Sequence, residues 1–185
     1  MPDQAAIRSL KNGDTGGLET LITRYQTRAM RTAYFVTQDE QLAQDIVLDT
    51  FLEIYHHIHS FDENRPFQPY LMRSVVNKAL NTVRKLRREV PLEALEGSGQ
   101  VASLLSQAAT VESQAEYAAL QSQILAAIAA LPPRQRAAVV LRYYLEMSET
   151  EMASILEAAP GTVKWLLHTA RTRLRALLVS QRSDR

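Results

Sequence analysis

The chain has 185 residues, 46% of them apolar, and its 21 Lys and Arg against 20 Asp and Glu leave a formal charge of +1. That is enough chain for one ordinary core or two small ones, and so neutral an average gives no hint of a nucleic-acid partner, whose footprint is normally a basic excess. The absence of cysteine excludes disulfide scaffolds, thiolate metal sites and cysteine nucleophiles; Met1-Pro2-Asp3-Gln4 opens no basic-then-apolar leader and no stretch reaches the roughly 20 apolar residues of a membrane span, so a soluble cytoplasmic protein is expected.

Glycine and proline are scarce, and apolar residues recur at three- and four-residue spacings almost throughout, the period of amphipathic helices. After the Asn12-Gly13 break, Leu18, Leu21, Ile22, Tyr25 and Ala29 mark a first helix. Thr37-Gln38-Asp39-Glu40 reads as a capping box opening a second, striped by Leu42, Ile46, Thr50, Ile54 and Ile58. Pro66 and Pro69 fit the first turn of a third, where a missing N–H costs little; Leu71, Val75, Ala79, Val83 and Leu86 are its stripe, and it ends near Arg88.

From Glu89 to about Gln114 the pattern dissolves around Pro91 and Gly97-Ser98-Gly99, a linker with short apolar patches such as Leu104-Leu105. Tyr117, Leu120, Ile124, Leu125 and Ile128 restore the helical period. Pro132-Pro133 ends that helix and starts another, and Val139, Val140 and Tyr143 continue the core. Ser148-Glu149-Thr150-Glu151 is a second capping box, Glu157 to Gly161 a short turn, and Val163, Leu167, Ala170, Leu174 and Leu178 the inner stripe of the last helix. A short helix, a tight turn and a longer helix with a basic end is the pattern of a helix-turn-helix. The expected fold is all-α: two small helical domains, 1–88 and 115–182, joined by a flexible linker over 89–114.

The neutral average hides a segregation of charge. Between Thr32 and Asn64 there are seven acids, Asp39, Glu40, Asp45, Asp49, Glu53, Asp62 and Glu63, and no Lys or Arg. Arg65 to Arg88 holds seven bases, Arg65, Arg73, Lys78, Arg84, Lys85, Arg87 and Arg88, and no acid; Glu89 to Pro133 then has five acids and no base. Asp45, Asp49 and Glu53 forgo the few tenths of a kcal/mol, roughly, that mixed signs at i,i+4 would contribute. Segregation of this kind either serves two surfaces with opposite partners or neutralises two helices across one contact. On the basic helix Arg73, Asn77, Asn81, Arg84 and Arg88 fall opposite the apolar stripe, a face suited to DNA: Arg and Lys neutralise phosphates and Asn addresses base edges.

Ala43-Gln44-Asp45-Ile46-Val47-Leu48-Asp49-Thr50-Phe51-Leu52 resembles the region-two helix of extracytoplasmic-function (ECF) sigma factors, and Phe61 through Phe67 to Asn77 and Ala79 resemble that family's promoter-melting segment. Leu131-Pro132-Pro133-Arg134-Gln135-Arg136, Leu141-Arg142-Tyr143-Tyr144, and Gly161-Thr162-Val163-Lys164 with Leu167-His168-Ala170-Arg171-Leu174 resemble its region four. The resemblance implies a non-enzymatic, cofactor-free initiation factor whose partners are core RNA polymerase at clamp and flap, promoter DNA and an anti-sigma protein. It implies docking of Asp45, Asp49 and Glu53 on the polymerase clamp, and capture of unstacked minus-ten bases by Phe61, Asn64, Phe67, Tyr70, Arg73, Asn77, Lys78, Asn81 and Arg84. Phe67 and Tyr70 read equally well as core at the helix start. The linker is either a passive tether or a segment threading the polymerase interior.

In the major groove of the minus-thirty-five element the resemblance places Gly161, Thr162, Lys164, Trp165, His168, Thr169 and Arg171. Trp165-Leu166 stands where the family commonly has Ser-Arg, and Thr169 where it commonly has Arg, so one or two phosphate contacts are missing. Trp165 lies about 100° from Lys164 and off the inner stripe, hence exposed, with DNA, an inhibitor or the other domain as its partner. His56 and His59 share a helix face without an evident third ligand, so no metal site is expected. No phosphate-cradling loop or catalytic triad context is present. A helix-turn-helix regulator acting as a dimer without polymerase, and a helical protein-interaction module, are the other classes; neither accounts for the acidic helix, the basic helix and the region-four likeness together.

Overall fold

The computed structural model describes residues 3–89 and 111–183, with side chains over 3–86 and 120–179. It divides into two compact units, Met1–Glu89 and Val90–Arg185. The described residues are helical with no strand, and no described helix is long and apolar enough to cross a membrane. Most of the expected linker, Leu104-Leu105 included, lies outside the described residues, as do the side chains of Arg87, Arg88 and Tyr117.

The first unit contains α1 (Gln4–Lys11), α2 (Gly16–Thr37), α3 (Glu40–His57), a 3-10 turn (Ile58–Ser60) and α4 (Phe67–Glu89). Helices α2, α3 and α4 pack on one another through Leu21, Ala29 and Val36, through Ile46, Phe51 and Ile54, and through Phe67, Leu71, Met72, Val75 and Ala79, all buried. Burial of each larger side chain stabilises by about 1.5–3 kcal/mol. Thr50 sits in this core without penalty because its hydroxyl donates to the Ile46 carbonyl at 2.6 Å.

Helix α1 has no counterpart among the helices expected from periodicity. It is two turns long, and its buried Ala6, Ile7 and Leu10 face α2. At Gly17 an added Cβ would lie 2.2 Å from the Ala6 carbonyl oxygen and 2.8 Å from the Leu10 nitrogen, so only glycine allows this approach. The capping box expected at Thr37 is also corrected. Thr37 is still inside α2, its hydroxyl bonding the Ala33 carbonyl at 3.0 Å. Gln38 closes α2 at φ 62°, and Asp39, with an extended backbone, caps α3 by accepting from the Leu42 N–H at 2.9 Å.

The second unit contains α5 (Val111–Ala129), α6 (Pro133–Val139), a π-type turn (Val140–Tyr144), α7 (Glu149–Ile155) and α8 (Pro160–Ser183). Leu131, Val139 and Ala170 share a cluster with Leu174; Leu141, Met152, Val163 and Leu167 are also buried. Pro133 is at the first turn of α6, and Ser148 and Glu151 form the expected capping box of α7. Tyr143, expected in the core, is 58% exposed. The wide turn, in which the Leu145 N–H reaches the Val140 carbonyl at 3.0 Å, rotates position 143 outward and brings Leu145 in.

Candidate functional site

Three surfaces carry the chemically informative residues. On α3, Asp45, Asp49 and Glu53 are exposed, and between them stand Leu48, Leu52 and Tyr55, exposed by 61%, 45% and 38%. Helical spacing puts these on one outward face, an apolar strip edged by carboxylates, and exposed strips of this kind mark protein interfaces. The apolar half was missed because the face was read from its carboxylates alone: Leu48 and Leu52 lie off the Leu42, Ile46, Thr50, Ile54 and Ile58 stripe.

The acids are not all unpartnered. Lys78 of α4 places its ammonium 2.7 Å from Glu53 and 3.8 Å from Asp49, and Asp45 accepts from the Gln41 amide at 3.2 Å. Neutralisation across two helices is therefore real at Lys78. Because the Asp49 and Glu53 side chains stay 67% and 60% exposed, such pairs contribute only about 0.2–1 kcal/mol and leave the carboxylates open to a partner. Lys78 itself, expected on the DNA face, is 24% exposed and turned to α3.

The second surface is the loop before α4 and the outer side of that helix. Asn64 is exposed in a turn held by Asp62, whose carboxylate accepts from the Asn64 backbone at 3.0 Å and side chain at 3.2 Å. Arg73, Asn81 and Arg84 are exposed and Asn77 is half-buried; Arg84 donates to Asn81 at 2.9 Å. Phe61, expected as a stacking residue, is 7% exposed, and Phe67, for which core was the equal alternative, is 1% exposed. Their rings meet edge to face at 5.8 Å and Tyr25 closes on Phe67 at 5.7 Å, so neither offers a free face to a base. Tyr70, half-buried at 4.8 Å from the Phe61 ring, forms the outer edge of this cluster.

The third surface is the start of α8. Gly161, Thr162, Lys164, Trp165, His168 and Arg171 are exposed, Trp165 by 58%, while Leu166 is buried. Lys164 stands 3.8 Å from Glu149, and the Arg171 Nε donates to the Leu167 carbonyl at 3.2 Å. Thr169, expected at the groove, is half-buried and bonded within the fold. Its hydroxyl donates to the Trp165 carbonyl at 2.8 Å and accepts from the buried Gln135 amide at 3.2 Å, tying α8 to α6.

Two arginines at the start of α6 are structural in the same sense. Arg136, 5% exposed, donates to the Ala129 carbonyl at 2.8 Å, and Arg134 to the Leu156 carbonyl at 2.9 Å, so one helix places cations on the C-terminal carbonyls of α5 and α7. With the Gln135–Thr169 bond to α8, α6 thus contacts both α7 and α8.

Residues 21–89 match the family described as Sigma-70 region 2, and residues 121–174 match Sigma-70, region 4. The chain is 29% identical over 176 residues to the ECF RNA polymerase sigma factor SigW of Bacillus subtilis, covering 93% of this chain and 94% of that one. It is 30% identical over 174 residues to the RNA polymerase sigma-E factor of Streptomyces coelicolor, covering 93% and 92%. In fold it is similar to CnrH, solved in complex with the cytosolic domain of CnrY, at TM-score 0.65 and 23% identity over 97% of this chain and 99% of that one. It is likewise similar to RpoE of Bartonella quintana, solved with the anti-sigma factor NepR, at TM-score 0.66 and 24% identity over 86% and 95%. The chain belongs to the sigma-70 family of RNA polymerase sigma factors, in its ECF class, and so acts in promoter-specific transcription initiation.

Proposed function

We propose that the α3 face docks this sigma factor on core RNA polymerase, that α4 and its preceding loop capture the minus-ten element, and that α8 reads the minus-thirty-five element. The observation that carries this reading is the division of chemistry within the first unit. Exposed Leu48, Leu52 and Tyr55 edged by Asp45, Asp49 and Glu53 suit an apolar, basic protein surface, whereas Asn64, Arg73, Asn77, Asn81 and Arg84 suit nucleic acid.

Docking desolvates the apolar strip and leaves the carboxylates as steering and register. Flipping a base from the stack costs a few kcal/mol, which stacking on an aromatic ring returns in part, about 1–3 kcal/mol per base. With Phe61 and Phe67 in the core, Tyr70 is the stacking edge and the Asn and Arg groups supply polar and phosphate contacts. In α8, Lys164 and Arg171 contact phosphates while Thr162, Trp165 and His168 face base edges.

Two domains, 1–88 and 115–182, work as separate readers joined by residues 89–114. The factor performs no bond chemistry and takes no cofactor; polymerase does the synthesis, in the cytoplasm, where core enzyme and chromosome meet. An anti-sigma protein that covers the α3 strip would silence it by competing with polymerase. Run-off transcription with core enzyme on a promoter library is expected to give specific starts that depend on both promoter elements. Binding of duplex DNA by the protein alone, with no initiation on any template, would overturn the reading.

A further inference from the structure

We infer that α1, outside the 21–89 segment that matches Sigma-70 region 2, is a positioning element for minus-ten capture, acting through Lys11 and Arg8 on the loop before α4. This rests on the minus-ten role proposed for that loop. Two contacts join elements fifty or more positions apart in sequence. The Lys11 ammonium donates to the Phe61 backbone carbonyl at 2.7 Å in a part-buried setting, and the Arg8 guanidinium meets the Glu63 carboxylate at 2.9 Å. The loop is thus gripped at 61 and 63, on either side of Asp62, which holds Asn64.

The grip is anchored behind. Ile7 and Leu10 are buried, the Gly17 approach fixes α1 on α2, and the buried Asp3 carboxylate accepts from the Tyr25 hydroxyl at 2.7 Å and from Arg24. Helix α1 also packs on the Ile58–Ser60 turn. The two contacts differ in weight. An exposed pair such as Arg8–Glu63 contributes little, whereas a charged donor on a part-buried carbonyl is a strong, directional bond. The Phe61 ring and N–H are held by the aromatic cluster and by the Ile58 carbonyl; Lys11 fixes its carbonyl, and with it the path from Phe61 to Asn64. A misplaced loop loses the geometry that separates a matched base from a mismatched one more than it loses overall affinity.

The discriminating quantity is the ratio of run-off product from a matched to a minus-ten-mismatched promoter, because it is insensitive to the fraction of folded protein. Full-length Lys11→Met, which keeps the stem and removes the donor, is expected to lower that ratio about five-fold, the equivalent of one net hydrogen bond. Lys11→Arg is expected to restore it, Arg8→Gln to lower it by less than two-fold or so, and affinity for core polymerase is expected to be unchanged in all three. A Lys11→Met ratio equal to wild type, or one that Lys11→Arg fails to restore, overturns the inference alone. Failure of the wild-type protein to initiate on any promoter overturns the sigma reading and this inference with it. If Lys11→Met proves unstable, the Lys11→Arg and Arg8→Gln ratios decide: any lowering must be smaller for the donor-retaining Lys11→Arg.

Discussion

Tyr25 links the N-terminal segment to the stability of the first unit. Burial, reinforced by the hydrogen bond its hydroxyl gives to Asp3, pushes its pKa up from 10.0 to about 12. The folded value lies above the unfolded one, so this contribution is complete below pH 10 and is lost as pH rises through about 12. The excess stability of wild type over Tyr25→Phe is therefore expected to shrink across that window by up to about 2 kcal/mol, read from denaturant titrations; a difference constant with pH would exclude the coupling. Glu157 is a second informative position. It closes α7 at φ 48°, with the Ala158 N–H reaching back to the Ala153 carbonyl at 3.0 Å, a conformation natural to glycine. Glu157→Gly is expected to raise unfolding stability by about 1 kcal/mol and Glu157→Ala, which keeps the Cβ, to leave it nearly unchanged. Thermal unfolding distinguishes them.

At the level of elements, Gly17 decides whether α1 docks. Glycine inside a helix normally weakens it by roughly 0.5–1 kcal/mol relative to alanine, so Gly17→Ala would stabilise a free helix. Here the added Cβ meets α1 backbone at 2.2 Å, and the expected outcome is a net loss of about 1–3 kcal/mol, as in other overpacked sites, with faster amide exchange in α1. The α7 capping box behaves oppositely to Tyr25. Bonds from the Ser148 hydroxyl and backbone hold the Glu151 carboxyl below its ordinary range, so its contribution is present at neutral pH and fades on acidification through that lowered value. Ser148→Ala is expected to remove about 1 kcal/mol at neutral pH, and less in acid.

For the molecule as a whole, the prediction concerns separability of its surfaces. Leu48→Lys or Asp45→Lys on the α3 face is expected to weaken binding to core polymerase by about ten-fold or more, since central apolar anchors and complementary charge dominate such interfaces. Neither change touches α8, so binding of minus-thirty-five duplex should stay at the wild-type level. Fluorescence anisotropy with labelled core enzyme and with labelled duplex measures the two quantities side by side. Equal loss in both would mean that the α3 face does not act as a separate docking surface.

Most of the helical framework was legible in the chain, because an amphipathic stripe needs only local spacing: Ile46, Thr50 and Ile54 of α3, Leu71, Val75 and Ala79 of α4, and Val163, Leu167 and Ala170 of α8 are buried as their period requires. The same local logic exposes Trp165, and the inversion of charge after Asn64 pointed to two opposed surfaces. What needed the tertiary structure were choices between equal local options. Helix α1 is too short to announce itself by period and is held by Gly17, Asp3 and the 61–63 loop, contacts made far along the chain. The wide turn at Val140–Tyr144 moved Tyr143 out of the core. Phe61 and Phe67 turned inward because their rings complete one cluster with Tyr25 and Tyr70, and Lys78 meets the α3 carboxylates. The sequence by itself determined where helices run and which charges they carry, since both depend on neighbours three or four residues away; which aromatic is buried, and which lysine or threonine is bonded within the fold, was decided only where distant helices meet.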